Sequence, residues 1–213
     1  MRAEKQKEKF TTTMRVLLVL AAVIFGAGFA YFFNGGQMTN AVSTSGGQAT
    51  ETMLIDFTRT QDSVRWQSID DGVMGGVSKS TLVQSDSSAA FAGTVSLANN
   101  GGFASVLFGA GNYMLGADSG VIVRVRGDGK RYAFRIVTPM LLGDAHYAYF
   151  GTVKGTWQEI RLPFDDFVPK RYGFTLPKML SMNRDKIQAF GMIIEEKQAG
   201  TFRLDIAWVK AYR

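Results

Sequence analysis

The chain contains one histidine, His146, and no cysteine. That excludes a thiol nucleophile, a thiolate metal centre and a disulfide framework. It also excludes any site that needs two imidazoles, and a Ser-His-Asp triad would have to use His146 alone. Asp144 lies close to it in sequence, but no spaced nucleophile accompanies the pair, so a surface or edge histidine is the expectation. Asp165-Asp166 follow Pro163-Phe164 and read as a turn, and adjacency does not make a glycosidase pair. Glu195-Glu196-Lys197 reads as a solvated strand end. Trp66, Trp157 and Trp208 have rings that stack on sugars, although sandwich tryptophans are expected to be largely buried. Nothing calls for a cofactor or a resident metal.

Two glycine-rich segments carry more information. The first is Asp70-Asp71-Gly72-Val73-Met74-Gly75-Gly76-Val77-Ser78, and the second is Asn99-Asn100-Gly101-Gly102-Phe103-Ala104-Ser105. Neither is a phosphate loop, because both lack the GxxxxGK[ST] and GxGxxG spacings and a βαβ context. Paired glycines beside short polar residues suit positive-φ turns and close backbone approach. Asp70, Asp71, Asn99 and Asn100 offer oxygens to a Ca²⁺ ion or to sugar hydroxyls. The same side chains also suit holding tight turns by accepting from nearby backbone N–H groups. With Met74 and Phe103, these residues form the first candidate binding surface.

The elements that would position them read mainly as strands. Val121, Val123 and Val125 alternate with Ile122, Arg124 and Arg126, and Tyr132, Phe134 and Ile136 alternate with Arg131, Ala133 and Arg135. Phe202, Leu204, Ile206 and Trp208 repeat the pattern, which is that of half-buried strands. Further candidates are Leu54–Thr58, Ala89–Leu97, Phe103–Phe108, His146–Val153, Trp157–Leu162 and Ala189–Glu195. Only Pro177–Gln188 has some helical character. About nine or ten strands without crossover helices predict an antiparallel sandwich or jelly roll. Gly127-Asp128-Gly129-Lys130 reads as a four-residue hairpin turn, setting Arg126 opposite Arg131 and Arg124 opposite Ala133. That register places Arg124, Arg126, Arg131 and Arg135 on one face, the second candidate surface. Either acidic neighbours offset these charges or the face receives an anionic partner.

Ahead of this body, Val16 to Phe33 runs for 18 residues without a charge. As a helix it would span about 27 Å, close to the hydrocarbon thickness of a bilayer. The chain carries 24 Lys and Arg against 18 Asp and Glu, a formal charge of +6. Half of that excess sits on residues 1–15, as five basic against two acidic side chains. This is a topology signal. A nucleic-acid-binding domain would spread its basic charge over a face with interleaved aromatics. The expectation is a basic cytoplasmic tail over 1–15 and a transmembrane signal anchor over 16–33. A flexible linker over 34–53 and a folded domain over 54–213 on the extracytoplasmic side complete it. An uncleaved anchor is favoured over a cleaved signal peptide, because Gly28-Phe29-Ala30 is a poor cleavage site.

The two glycine-rich segments, in this order, also carry a resemblance. Asp56-Phe57, Trp66, the DDGVMGGVS run, Phe91-Ala92-Gly93 with Val95-Ser96-Leu97, and NNGGFAS resemble the complex I intermediate-associated protein 30 family. Arg126-Gly127-Asp128-Gly129-Lys130, Phe150, Trp157, Pro163-Phe164 and Gly200 to Ile206 continue the likeness. The resemblance implies a galactose-binding-like jelly roll and a non-enzymatic role in assembling a respiratory NADH dehydrogenase complex, with a protein partner. The chain departs from the family pattern at Leu107, where an arginine is common. It departs again at His146-Tyr147-Ala148-Tyr149, where a glutamine commonly precedes the strand's aromatic. The alternative, by analogy of fold, is an envelope-facing carbohydrate-binding module.

Overall fold

The structure is a computed structural model that describes residues 50–59, 64–139, 144–171, 173–177 and 182–213. The expected tail, membrane anchor and most of the linker lie outside the described residues. Among the described residues no helix is long and apolar enough to cross a membrane. They form thirteen strands: β1 (Glu51–Asp56), β2 (Trp66–Ser68), β3 (Lys79–Gln84), β4 (Ala89–Val95), β5 (Ala104–Phe108), β6 (Gly120–Arg126), β7 (Arg131–Val137), β8 (Asp144–Gly151), β9 (Trp157–Pro163), β10 (Val168–Arg171), β11 (Phe174–Thr175), β12 (Ala189–Ile194) and β13 (Gly200–Tyr212). The remaining regular elements are short 3₁₀ turns, one of which, Arg184–Lys186, falls in the stretch with helical character.

The strands build two antiparallel sheets, an all-β sandwich. One sheet runs β3-β4-β13-β6-β9 with β1 also on β13, and the other runs β11-β10-β8-β7-β12-β5-β2. β13 is the spine of the first sheet. Its first part, Gly200 to Ile206, pairs with β4, and its last part, Trp208 to Tyr212, pairs with β1. A bulge between Ile206 and Trp208 resets the register there, so that Ile206 and Val209 both reach the core.

Alternation explains the core. Val121, Val123 and Val125 from β6 meet Tyr132, Phe134 and Ile136 from β7, and all six are buried in one cluster. Phe134 stacks with Phe190 at 5.7 Å between centroids, and Tyr113 closes on Phe190 at 4.7 Å. The strands that periodicity does not reveal lie at or next to sheet edges. β3 buries only Leu82, so it shows no apolar alternation, and β10 carries Pro169.

One expected pairing is replaced. β6 and β7 are not a hairpin: β6 pairs with β9 and β13, while β7 pairs with β8 and β12 in the other sheet. The Gly127–Lys130 turn therefore crosses the sandwich. Asp128 fixes that corner, accepting from the Tyr132 hydroxyl at 2.9 Å and from Arg203 N at 3.0 Å. Parity alone permits either arrangement, since valines and aromatics face the same core in both. The four arginines do not share a face: Arg124 and Arg126 are on the outside of one sheet, Arg131 and Arg135 on the outside of the other.

His146 is a second correction. It is buried, at 1% exposure, and not at the surface. β8 is an interior strand, and His146 has the same parity as Ala148 and Phe150, which point into the core.

Phe190→Ala should cost about 3–5 kcal/mol, the range for truncating a fully buried aromatic. Urea unfolding of the two proteins measures this. A loss under 1 kcal/mol would mean the two sheets do not depend on this contact.

Candidate functional site

The two glycine-rich segments come together around Asp71. Its side chain has no exposed surface. Its carboxylate accepts from Ser78 N at 2.8 Å, Ser78 Oγ at 2.5 Å, Gly102 N at 2.7 Å and Phe103 N at 3.3 Å. Three of these donors reach Oδ2 and one reaches Oδ1, so both carboxylate oxygens are engaged. The glycines make room for it. A Cβ on Gly76 would sit 2.4 Å from Asp71 Oδ1, and one on Gly101 would sit 2.5 Å from Oδ2. Burial alone would raise the Asp71 pKa. The bonds from Ser78, Gly102 and Phe103 outweigh it and hold the carboxyl below the usual carboxylate range.

Asp70 is committed in the same way. It accepts from Ser80 N at 2.7 Å, Ser80 Oγ at 2.6 Å, Ser105 N at 3.0 Å and Ser68 Oγ at 3.1 Å. Both aspartates thus spend their oxygens on the protein's own donors, three of which, Gly102 N, Phe103 N and Ser105 N, come from more than thirty residues away. That arrangement leaves neither carboxylate an oxygen for a Ca²⁺ ion or a sugar. Among the described residues no group of three His, Asp or Glu side chains converges on a metal position.

Asn99 and Asn100 lie in the left-handed region, with φ of 55° and 60°, and are exposed. Met74, Val77 and Leu97 stand out from the same pair of loops, with about half of each side chain in solvent. Phe103 leads off this end onto the outer face of the second sheet. There it packs with Tyr149 against Ala133, Ala145, Tyr147 and Ile193.

Arg135 belongs to that face. Register sets Leu107, Gly191, Arg135 and Tyr147 in one cross-strand row. Leu107 and Tyr147 lie in the two segments where the chain departs from the family pattern. Arg135 Nη1 donates to Ser105 Oγ at 3.0 Å, and its guanidinium lies 5.2 Å from the Tyr147 ring centre. Nearby, Lys170 pairs with Glu195 at 2.8 Å and contacts the Tyr149 hydroxyl, which also donates to Glu195. Burial, with Glu195 beside it, pushes the Tyr149 phenol well up. Ser105, Tyr147 and Lys170 were not singled out by sequence. Ser105 is the last residue of NNGGFAS and Tyr147 lies in the segment that departs from the family pattern; those are the signals the sequence offered, and Lys170 had none.

The remaining arginines are satisfied. Arg131 pairs with Glu196 at 2.7 Å on the outer face of the second sheet. On the opposite face Arg124 pairs with Glu159 at 2.8 Å, Arg126 with Asp205 at 2.9 Å, and both lie over Trp157. Lys210 covers Trp208 at 4.4 Å. Trp157 and Trp208 are half-buried and Trp66 is 39% exposed, so the three are less buried than the largely buried tryptophans expected of a sandwich.

Residues 55–206 match the family model described as complex I intermediate-associated protein 30 (CIA30). The chain belongs to this family. A curated relative is the probable mitochondrial complex I intermediate-associated protein 30 of Caenorhabditis elegans, 26% identical over 99 residues, which are 44% of this chain and 29% of that protein. The chain thus aligns with less than a third of that relative's length. Among solved structures, it is similar in fold to the family 11 carbohydrate-binding module of a cellulosomal cellulase of Clostridium thermocellum. That match has a TM-score of 0.57 at 16% identity and covers 79% of this chain and 95% of the module. The same module in complex with a β-1,3-1,4-mixed-linked tetrasaccharide gives 0.55 at 15% identity, covering 81% and 96%. An agarase gives 0.53 at 10% identity, covering 78% of this chain and 25% of the enzyme.

Asp71→Asn should lose on the order of 3 kcal/mol at pH 7, because buried donors lose a charged acceptor. The folded pKa of Asp71 lies below its unfolded value of about 3.9, so its contribution is complete above that value. It is lost as pH falls through the lower folded value. Urea unfolding at pH 7 and pH 3 should show a shallower acid loss in Asp71→Asn than in wild type. Equal losses would mean that Asp71 is not ionised in the fold.

Proposed function

We propose that the chain is a membrane-tethered, non-catalytic binding domain that acts as an assembly factor for a membrane complex of the respiratory NADH dehydrogenase type. Its body would be a galactose-binding-like jelly roll. Family membership over residues 55–206 carries this reading, because the matched region includes both sheets and both glycine-rich loops. The basic residues 1–15 and the apolar run Val16 to Phe33 support a cytoplasmic N-terminus and a domain on the extracytoplasmic side. In this arrangement the tether enters at Glu51, which pairs with Tyr212. The Asp71-bound loops follow the other end of β13, where Gly200 pairs with Val95. The two ends are roughly 40 Å apart along the strand, so the loops would face away from the bilayer.

A second reading, an envelope-facing carbohydrate-binding module, rests on Trp66, the one tryptophan without a cation over its ring among the described residues. Sugar stacking needs an open aromatic face. Tyr147, Tyr149, Trp157 and Trp208 each carry a Lys or Arg over the ring instead. This distribution favours a protein partner.

The full chain, solubilised from its native membrane and affinity-purified, should bring subunits of a membrane complex with it at least tenfold above a tag-only control. Mass spectrometry identifies them. Recovery of no such subunit, together with binding on a glycan array that Trp66→Ala abolishes, would replace the assembly reading with the carbohydrate one.

A further inference from the structure

Arg135 is the anomaly of the second sheet. It is 6% exposed, and it lies on the outer face, away from the hydrophobic core. A guanidinium has five N–H donors in a planar fork. Among the described residues one of them has a partner, the neutral Ser105 hydroxyl, and Nε is buried without an acceptor. Among the described residues no ion pair uses Arg135, whereas other strand cations, each more exposed than it, have one. Lys170 has Glu195 at 2.8 Å, Arg126 has Asp205 at 2.9 Å and Lys210 has Glu51 at 3.0 Å.

A buried cation with one neutral hydrogen bond lowers stability unless something offsets it. We infer that Arg135 is the seat for a carboxylate side chain of an acidic segment on a partner protein. Nη1 is turned to Ser105, which leaves the Nε–Nη2 edge, the edge that a carboxylate meets with two parallel bonds. The position is well defined. Ser105 N is held by Asp70, so the clasp of the glycine-rich loops also fixes the hydroxyl that orients Arg135. The cover over Arg135 includes the Tyr147 ring, and side-chain rotation of this kind is common when interfaces form. Around the seat, Ala133, Ala145 and Ile193 are buried and Phe103 packs against them, so the guanidinium lies in an apolar surround. The rings that a glycan would stack on here, Tyr147 and Tyr149, already carry Lys170 or an arginine.

The inference rests on the protein-binding reading above and names what the partner must present. The test uses the detergent-solubilised full chain as wild type, as Arg135→Met, and as Lys186→Met for a change of equal charge at an exposed site. The probe is a blocked hexaglutamate peptide, with hexaglutamine as neutral control, titrated by calorimetry at low ionic strength. Wild type and Lys186→Met should bind hexaglutamate alike, and hexaglutamine should not bind. Arg135→Met should weaken binding about tenfold or more, as expected for one charge-assisted contact, while its melting temperature stays level or rises. A melting temperature several degrees lower would mark Arg135 as structural and overturn the inference. So would absence of hexaglutamate binding to wild type at millimolar concentration, or undiminished binding to Arg135→Met. Tighter binding of oligogalacturonate at equal carboxylate concentration would overturn it in favour of an acidic glycan. Membrane co-purification that survives Arg135→Met sinks this inference and leaves the assembly reading intact. Failure of wild type to co-purify sinks the assembly reading whatever the peptide does.

Discussion

The Asp71 carboxylate sits with no exposed surface between two loops that sequence holds more than twenty residues apart, and four donors from those loops converge on it. A charge in that position is tolerable only when its acceptor sites are filled, so the loops are closed by the cost of leaving them open. The requirement spreads outward. Gly76 and Gly101 have no side chain because the carboxylate occupies that space. Asp70, one residue away, ties β3 to the start of β5 through Ser80 and Ser105. Two adjacent carboxylates thus join the edge strand of one sheet to an inner strand of the other. The sandwich is closed at this end by polar bonds as much as by its aromatic core.

The sequence showed which residues matter here more clearly than what they do. The motif pair is specific because many constraints meet in it: positive-φ positions, absent Cβ atoms, a buried acid and its serine donors. A chain that carries all of them has few other folds open to it. The use of the oxygens was not legible. Oxygen-rich loops look alike whether they serve a ligand or backbone amides thirty residues away. The choice depends on long-range geometry that spacing does not encode. The Gly127–Lys130 turn failed for a related reason. Alternation reports which face a residue takes, and a hairpin and a sheet crossing put Val123 and Phe134 on the same core. What decides between them is Asp128 bonding Tyr132 and the backbone of Arg203. His146 shows the same limit at one residue, since its parity with Phe150 outweighs its polar character.

The corrected topology changes the meaning of the arginines. As a single patch they would repel one another and call for an anionic partner together. Divided between two outer faces, three of the four have carboxylates supplied by neighbouring strands or turns: Glu159, Asp205 and Glu196. The exposed pairs, Arg124–Glu159 and Arg131–Glu196, contribute little to stability and mainly keep a face solvated, whereas Arg126 covers the buried Asp205 carboxylate. They also place cations over the aromatic rings, which removes those rings from sugar stacking. The family likeness and the fold likeness to carbohydrate-binding modules are therefore compatible, because shared strand architecture does not require a shared surface.

The division of labour follows from which groups still have bonding capacity. The most specific part of the sequence, the Asp70-Asp71 run with its partner loop, has every carboxylate oxygen bonded to the protein's own donors. Its chemistry is spent on shape. In the binding reading proposed above, recognition falls to groups that this shape holds in place with capacity to spare: the exposed Met74, Val77 and Leu97 at the loop tips, and the Arg135 fork beyond Ser105. The loops and the fork are mechanically linked, because Ser105 bonds Asp70 through its backbone and Arg135 through its hydroxyl. A partner that draws on Arg135 therefore acts on the same hydrogen-bonded chain that closes the loops. Recognition on the sheet face and order at the loop end are expected to rise and fall together.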